Sequence, residues 1–325
     1  MSARPAVSVV IPTHLRPDLL SRCLDAVLAQ TLPSARFEIV VVDDGRSRDT
    51  DRVVRERQER PDSPRIAYLR TQGHEGPAVA RNLGWRAAHA RVIAFTDDDT
   101  VPDPRWLEEG LRALVAPAVA VYGRIVVPTP DVPTDYERNT KGLEGAGFVT
   151  ANCLVLRSAL EEVGGFDERF RRAWREDADL YFSLIERVGR VVAAPEALVV
   201  HPVRAARWGE CLRQHANLVF DALLYKKHPG LYKRRIRARP PLDYYLAVGA
   251  TLATGGTLAA GPASAAVIPA MLALAPIARL AARRLRGTSP LAPDRAEVIL
   301  TSLAIPFVAV YWRLRGAFRF KVLFL

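Results

Sequence analysis

The sequence predicts an α/β fold: a mostly parallel, Rossmann-like sheet with helices on both faces, followed by a separate helical segment suited to a membrane. Three observations predict it. Strand-like apolar runs alternate with helical patterns, which implies parallel strands joined by helical crossovers. The first runs end in polar or acidic residues. Val7–Ile11 leads into Pro12-Thr13, Glu38–Val42 into Asp43-Asp44-Gly45, and Val92–Phe95 into Thr96-Asp97-Asp98-Asp99. Finally, the stretch from Tyr244 to Ala278 carries no charged residue.

Each element has its own justification. Val7–Ile11, Glu38–Val42 and Val92–Phe95 are short apolar runs of the kind buried on both faces of a parallel sheet. Between the first two, Pro17–Gln30 places Leu20, Cys23, Leu24, Val27 and Leu28 on one helical face, with Pro17 in the first turn. In open α/β sheets, ligands bind beyond the carboxyl ends of the strands. Asp97, Asp98 and Asp99 occupy such an end and repel each other unless a cation sits among them. Hard oxygen ligands suit Mg2+ or Mn2+, ions that accompany phosphate-bearing substrates. The competing reading is a solvated acidic turn.

Further along, Pro128–Pro133 reads as a loop. Val149–Leu156 is expected as a strand, and Ser158 as the cap of a short helix, Ala159–Val163, ended by Gly164-Gly165. Glu176-Asp177-Ala178-Asp179 opens an amphipathic helix reaching Val188. Carboxylates at a helix N-terminus are favoured by its dipole, and one facing a cleft can also act as a general base. His201 closes the apolar run Ala197–Val200. It is either structural or completes a metal shell begun by Asp99.

The chain of 325 residues has room for one large α/β domain and an appendage. Its three cysteines, Cys23, Cys153 and Cys211, lie far apart, which argues for a reducing compartment and against a disulfide framework. The opening Met1-Ser2-Ala3-Arg4-Pro5 runs directly into a strand, so no cleaved leader is expected. The net charge of +11 is uneven: residues 222–325 hold 16 Lys and Arg against 3 Asp and Glu, leaving residues 1–221 slightly acidic. With no nucleic-acid motif in the N-terminal part, nucleic acid is excluded as a partner.

The tail explains its own charge. A membrane-spanning helix needs about 20 apolar residues. The uncharged stretch is broken at Gly261-Pro262, so it reads as a transmembrane hairpin. Lys226, Lys227 and Lys233–Arg239 flank it on one side, and Arg279–Arg286 on the other. A two-pass hairpin leaves both clusters in the cytoplasm. A third apolar segment, Val298–Trp312, is short and holds Pro306, so it is expected to lie in the interface against membrane lipid. The alternative is an Ala-rich soluble helical domain.

Read together, several segments resemble glycosyltransferase family 2, a large inverting family with the GT-A fold. Val7–Thr13 resembles its opening strand, and Val41-Val42-Asp43-Asp44-Gly45 its first acidic motif. Gly76–Gly84, with Arg81 and Asn82, is similar to its Gly-x-Ala-x-Ala-Arg-Asn-x-Gly segment. Phe95–Asp99 resembles the DxD strand end, while Val163–Asp167 and Glu176–Leu180 resemble acceptor-side motifs. The resemblance covers roughly residues 5–205, and five motifs in order are specific where each alone is weak. Two positions depart from the pattern. His14-Leu15 stands where many members have Tyr-Asn before the Arg matched by Arg16, and Ser183 stands where many have Arg.

The resemblance implies roles. Asp43 or Asp44 contacts the base or ribose of a nucleotide-sugar donor, with Pro12, Thr13, Arg16, Arg81, Asn82 and Asp98 around it. Asp97 approaches the ribose, and Asp99, with His201, binds a divalent Mn2+ or Mg2+. Asp177 deprotonates an acceptor hydroxyl, while Glu176 and Asp179 orient the acceptor or the base. The implied enzyme is an inverting transferase acting on a lipid-linked or cell-envelope glycan at the cytoplasmic membrane face. A polyprenyl-phosphate acceptor is the alternative, and a catalytically silent sugar-nucleotide binder a third. The expected layout is a GT-A domain over residues 1–221, a basic linker over 222–241, and the membrane segment over 242–325.

Overall fold

The computed structural model describes residues 4–324. Met1–Ala3, read above as leading straight into a strand, fall outside the described residues. The chain divides into two compact units. One runs to Pro128 and resumes over Lys141–Val203; the other joins Thr129–Thr140 to the chain from Arg204 onward. The break therefore falls after Val203 rather than after 221. The loop read at Pro128–Pro133 is where the chain leaves the first unit.

The first unit is built on one eight-stranded sheet. Its strands are β1 (Val7–Thr13), β2 (Phe37–Asp43), β3 (Arg65–Arg70), β4 (Val92–Phe95), β5 (Val101–Pro102), β6 (Ala118–Val126), β7 (Cys153–Leu156) and β8 (Arg190–Val200). Their spatial order is β3-β2-β1-β4-β7-β6-β8-β5. The β3-β2-β1-β4 half is parallel throughout. β7 runs antiparallel to both β4 and β6, and β5 is antiparallel to β8. The sheet is thus mixed. Burial on both faces gives parallel and antiparallel strands the same apolar sequence, so this reversal was not legible.

Both faces are covered, as expected. Val9, Ile11, Ile39 and Val41 point to one core with Leu20, Cys23, Leu24 and Val27 of the helix Pro17–Leu28. Val10, Val40 and Val42 point to the other, against Ala80 of the helix Pro77–Ala87 and Leu180 of the helix Glu176–Arg187. The alternation follows the two-residue period of a strand. In register, Thr13 pairs with Asp43 and Val10 with Phe95, so the polar ends of β1, β2 and β4 emerge at one edge.

Two local expectations are corrected. Val149–Asn152 is not part of β7, which begins at Cys153. Ser158 caps nothing: the helix is Arg157–Val163, its N-cap is Leu156, and no side chain caps it. Its start is set instead by Arg157, whose backbone N–H donates to the Arg91 carbonyl at 2.8 Å. Gly164 does end the helix, in the left-handed conformation at φ 85°.

In the second unit, residues 222–241, read as a basic linker, have helical structure. They fall largely in the helices Val219–Lys227 and Pro229–Arg235. The hairpin is present as Leu242–Ala260 and Val267–Leu285, with Gly261-Pro262 between them. The third segment is much longer than its apolar stretch, a single helix of 29 residues over Ala292–Phe320 with Pro306 inside it. Among the described residues, two helices are long and apolar enough to cross a membrane, Ala263–Leu285 and Ala292–Phe320. The first arm, rich in Ala, Gly and Thr, is not one of them. Large apolar side chains, among them Ile268, Met271, Leu274, Leu300 and Phe318, are exposed on these two helices.

Candidate active site

The site lies at the carboxyl edge of β1, β2 and β4, in the first unit. Each loop leaving that edge is held by its own acidic residue. Asp43 is fully buried. It accepts hydrogen bonds from the backbone N–H of Gly45 at 2.8 Å and of Ser47 at 2.7 Å, and from the Tyr68 hydroxyl at 2.7 Å. Asp44 accepts from the Thr71 hydroxyl at 2.7 Å and from the backbone N–H groups of Glu75 and Gly76 at 2.9 Å each. Both carboxylates therefore shape the loops after β2 and β3. Tyr68 and Thr71 were not singled out in the sequence, because the contacts that define them span the sheet.

Asp98 belongs to the β1 edge. It accepts from the Thr13 hydroxyl at 2.8 Å and pairs with Arg16 at 3.2 Å. Burial pushes its carboxyl up to about 6, with Arg16 opposing the shift. Pro12 and Thr13 end β1, so the β1 turn is tied directly to the acidic triplet.

Asp97 and Asp99 turn the other way. With His201 they form a group whose ligand atoms all lie within 4.8 Å of one another. His201 Nε2 is 3.7 Å from an Asp99 oxygen. That separation is too long for a hydrogen bond but suits two ligands of one ion. The His201 Nδ1 faces the Pro202 carbonyl at a long 3.4 Å, which leaves Nε2 toward the carboxylates. Asp97 therefore joins the candidate metal group, which the sequence reading assigned to Asp99 and His201 alone.

Arg81 connects this group to the second half of the site. Its guanidinium donates to Asp97 at 2.7 Å and to Glu176 at 3.0 Å, and it is almost wholly buried. It comes from the helix Pro77–Ala87, whose start is set by Gly76 at φ 100°. A Cβ on Gly76 would meet the Arg171 carbonyl oxygen at 2.6 Å. Asn82 faces elsewhere. It donates to the Phe166 carbonyl and to Glu168 at 2.8 Å each, and accepts from the Phe166 backbone N–H at 2.9 Å. Asn82 is thus a brace for the Gly165–Glu168 loop.

Glu176 and Asp177 open the helix Glu176–Arg187. Glu176 is buried, and one of its oxygens has no hydrogen-bond partner. Desolvation raises its pKa to about 7 despite Arg81. Asp177 is half-buried, and burial raises its carboxyl too. Asp179, one helical turn on from Arg175, is buried. Arg175, immediately before Glu176, holds φ 74°, while Leu15 and Arg46 hold 53° and 54°. Three non-glycine residues in the left-handed region, each in or beside a candidate loop, mark local strain of the kind found at functional sites.

The arrangement therefore offers a carboxylate–imidazole group, a buried arginine beside it, and three carboxyls, Asp98, Glu176 and Asp177, with raised pKa values. Comparison with known proteins bears on the domain that carries these residues. The family described as Glycosyl transferase family 2 matches residues 8–164. Glycosyltransferase AglE of Haloferax volcanii is 31% identical over 175 residues, 51% of this chain and 57% of its own length. A pre-mycofactocin glycosyltransferase of Mycobacterium tuberculosis is 33% identical over 216 residues, 61% of this chain and 43% of its own. The chain spans about half the length of the curated relatives it matches. Among solved structures, mannosyltransferase PcManGT from Pyrobaculum calidifontis, in complex with GDP-Man and Mn2+, superposes with a TM-score of 0.64 at 23% identity, covering 96% of this chain and 88% of that one. The ordered motifs, the mixed sheet and these likenesses converge: residues 8–164 match glycosyl transferase family 2, on a fold of the GT-A kind.

Proposed function

We propose that this protein is an inverting, divalent-metal-dependent glycosyltransferase. It moves a sugar from a nucleotide-diphospho-sugar to a hydroxyl of a lipid-linked or cell-envelope glycan at the cytoplasmic face of a membrane. The observation that carries the reading is the chain of contacts from Asp99 and His201 through Asp97 and Arg81 to Glu176 and Asp177.

Two carboxylates and an imidazole fit Mn2+ or Mg2+, with Mn2+ the better match for the nitrogen ligand. Asp97, Asp99 and His201 would hold the ion, which neutralises the leaving diphosphate when bound. The Mn2+ in the Pyrobaculum enzyme supports the same choice. Pro12, Thr13, Arg16, Asp43, Asp44 and Asp98 form the donor side. Arg81 holds Asp97 in place there, while Asn82 braces the neighbouring loop. Asp177, half-buried, can reach an acceptor hydroxyl and remove its proton, whereas Glu176 is sequestered against Arg81 and acts as its positioning partner. Asp179 supports the same helix start. A carboxyl whose pKa is raised by burial is a stronger base than an exposed one, which favours a hydroxyl acceptor over a polyprenyl phosphate that needs no deprotonation. The apolar helices of the second unit support attachment to membrane lipid.

The test is Asp177→Asn. Donor affinity should stay near wild type, because Asp43, Asp44 and Asp97 are intact. Turnover should fall by roughly 10²–10⁴, the usual worth of a general base. Near wild-type turnover would sink the hydroxyl mechanism and leave the phosphate acceptor. Separately, chelation or Asp99→Asn should abolish transfer, and added Mn2+ should restore only the chelated wild type.

A further inference from the structure

A second cluster of metal-ligating side chains lies at the same sheet edge, at the ends of β1, β2 and β3. We propose that His14, Asp44 and His74 form a metal site for a borderline transition ion of the Zn2+ class, separate from Asp97, Asp99 and His201. One atom from each residue lies within 4.8 Å of the others.

The distances fit ligands around an ion better than they fit ion pairs. His74 Nδ1 is 3.5 Å from an Asp44 oxygen, and His14 Nδ1 is 4.0 Å from the same oxygen. Two ligand atoms held at about 2.0–2.1 Å from a tetrahedral ion sit roughly 3.4 Å apart. A direct charged hydrogen bond would be about 2.7–2.9 Å. The imidazole rings are only 4.4 Å apart, close enough for both to face one ion. An ion takes both as neutral ligands.

His14 supplies an independent observation. Its Nδ1 is buried and has no hydrogen-bond partner, although buried polar atoms are ordinarily satisfied. It points to the Asp44 oxygen across a gap too long to bond. The following residue, Leu15, holds φ 53°, so a strained turn keeps His14 there. Asp44 is oriented by Thr71, Glu75 and Gly76, the outer hydrogen bonds that a metal carboxylate needs.

Two imidazoles and one carboxylate select Zn2+, Ni2+ or Co2+ over Mg2+. The Asp97–Asp99–His201 group, with two carboxylates, leans toward harder ions. His14 is one of the two departures from the family pattern noted in the sequence, so the site belongs to this chain's own residues. Asp44 also stands on the donor side of the proposed reaction. If that reading holds, ion and donor exclude each other, and Zn2+ is an inhibitor.

The experiment measures Zn2+ bound per chain by equilibrium dialysis of the full-length, detergent-purified protein without a histidine tag. His14→Ala and His74→Ala should each bind one Zn2+ fewer than wild type, whereas Asp99→Asn should keep the His74-dependent ion. His74 is exposed, so its substitution leaves the fold intact, and matched circular dichroism checks this for both. Equal Zn2+ content in wild type and both histidine variants overturns the site. A second arm titrates nucleoside diphosphate with and without Zn2+. Affinity should fall at least about tenfold in wild type and stay level in His74→Ala. An unchanged affinity overturns the competition and the donor role of Asp44, while the Zn2+ count still decides the site.

Discussion

At Arg81 a single side chain carries both halves of the site. It is buried between Asp97 and Glu176, which are themselves partly or wholly withdrawn from water. Removing it leaves Glu176, a buried carboxylate, without its counter-charge. Arg81→Met should therefore destabilise the domain by about 3–5 kcal/mol, read by denaturant unfolding. Arg81→Lys should recover part of that, because one ammonium cannot make both contacts with the fork geometry of a guanidinium. Glu176 makes a second prediction. Its ordinary value of 4.5 is raised to about 7 in the folded chain. Between those values the folded form holds a proton that the unfolded chain has released, so its contribution to stability is full below about 4.5 and is lost as pH rises through about 7. The melting temperature of wild type relative to Glu176→Gln should fall across that window. A difference that stays flat with pH would show that Glu176 titrates normally.

Elements decide how these residues meet. The helix Pro77–Ala87 can start only where Gly76 turns through φ 100° with its N–H on Asp44. Gly76→Ala puts a Cβ against the Arg171 carbonyl in a backbone conformation that L residues avoid. It should cost at least about 1 kcal/mol and shift Arg81 away from Asp97, so transfer should fall more than stability does. At the far end of the same helix, Gly84 fits against Val10 and Val42, which explains the second glycine of the motif. The helix Glu176–Arg187 was legible from its acidic start and apolar spacing. Its entry through Arg175 in the left-handed region was not, because no glycine marks the turn. Ser158 misled for a related reason. A serine before an apolar run signals a cap, but here the backbone of Arg157 is claimed first by the neighbouring strand end.

Taken whole, the second unit is tied together by contacts distant in sequence. Asp135 pairs with Arg284 at 2.8 Å, and Arg138 donates to the Arg284 carbonyl at 2.7 Å. Arg284 also donates to the hydroxyls of Thr301 at 2.9 Å and Ser302 at 2.8 Å. The segment Thr129–Thr140 is therefore fastened to helices more than a hundred residues later. Truncation after Lys227 should move the protein from the membrane to the soluble fraction, since both long apolar helices are lost. It should also free residues 129–140, so limited proteolysis should cut there in the truncated form and not in the full chain. Resistance of the truncated form would show that this segment is held by other contacts. Carbonate-resistant membrane association would place the anchor elsewhere.

The sequence by itself determined the strands of the parallel half, the helix on either face, the acidic strand ends and the family resemblance. Each of these rests on local pattern: a two-residue or 3.6-residue apolar period, a glycine, a run of carboxylates. Only the tertiary structure decided which carboxylates gather with His201 and which clamp loops. Asp97 and Asp98 are neighbours in sequence, yet one lies against Arg81 and the other against Thr13 and Arg16. The turn after β4 sends them to different neighbours, and which neighbours wait there is set by the order of strands. The pairing of His14 with His74, the brace made by Asn82 and the return of residues 129–140 to the C-terminal helices share that cause. They are contacts between segments distant in sequence, and no local pattern records them.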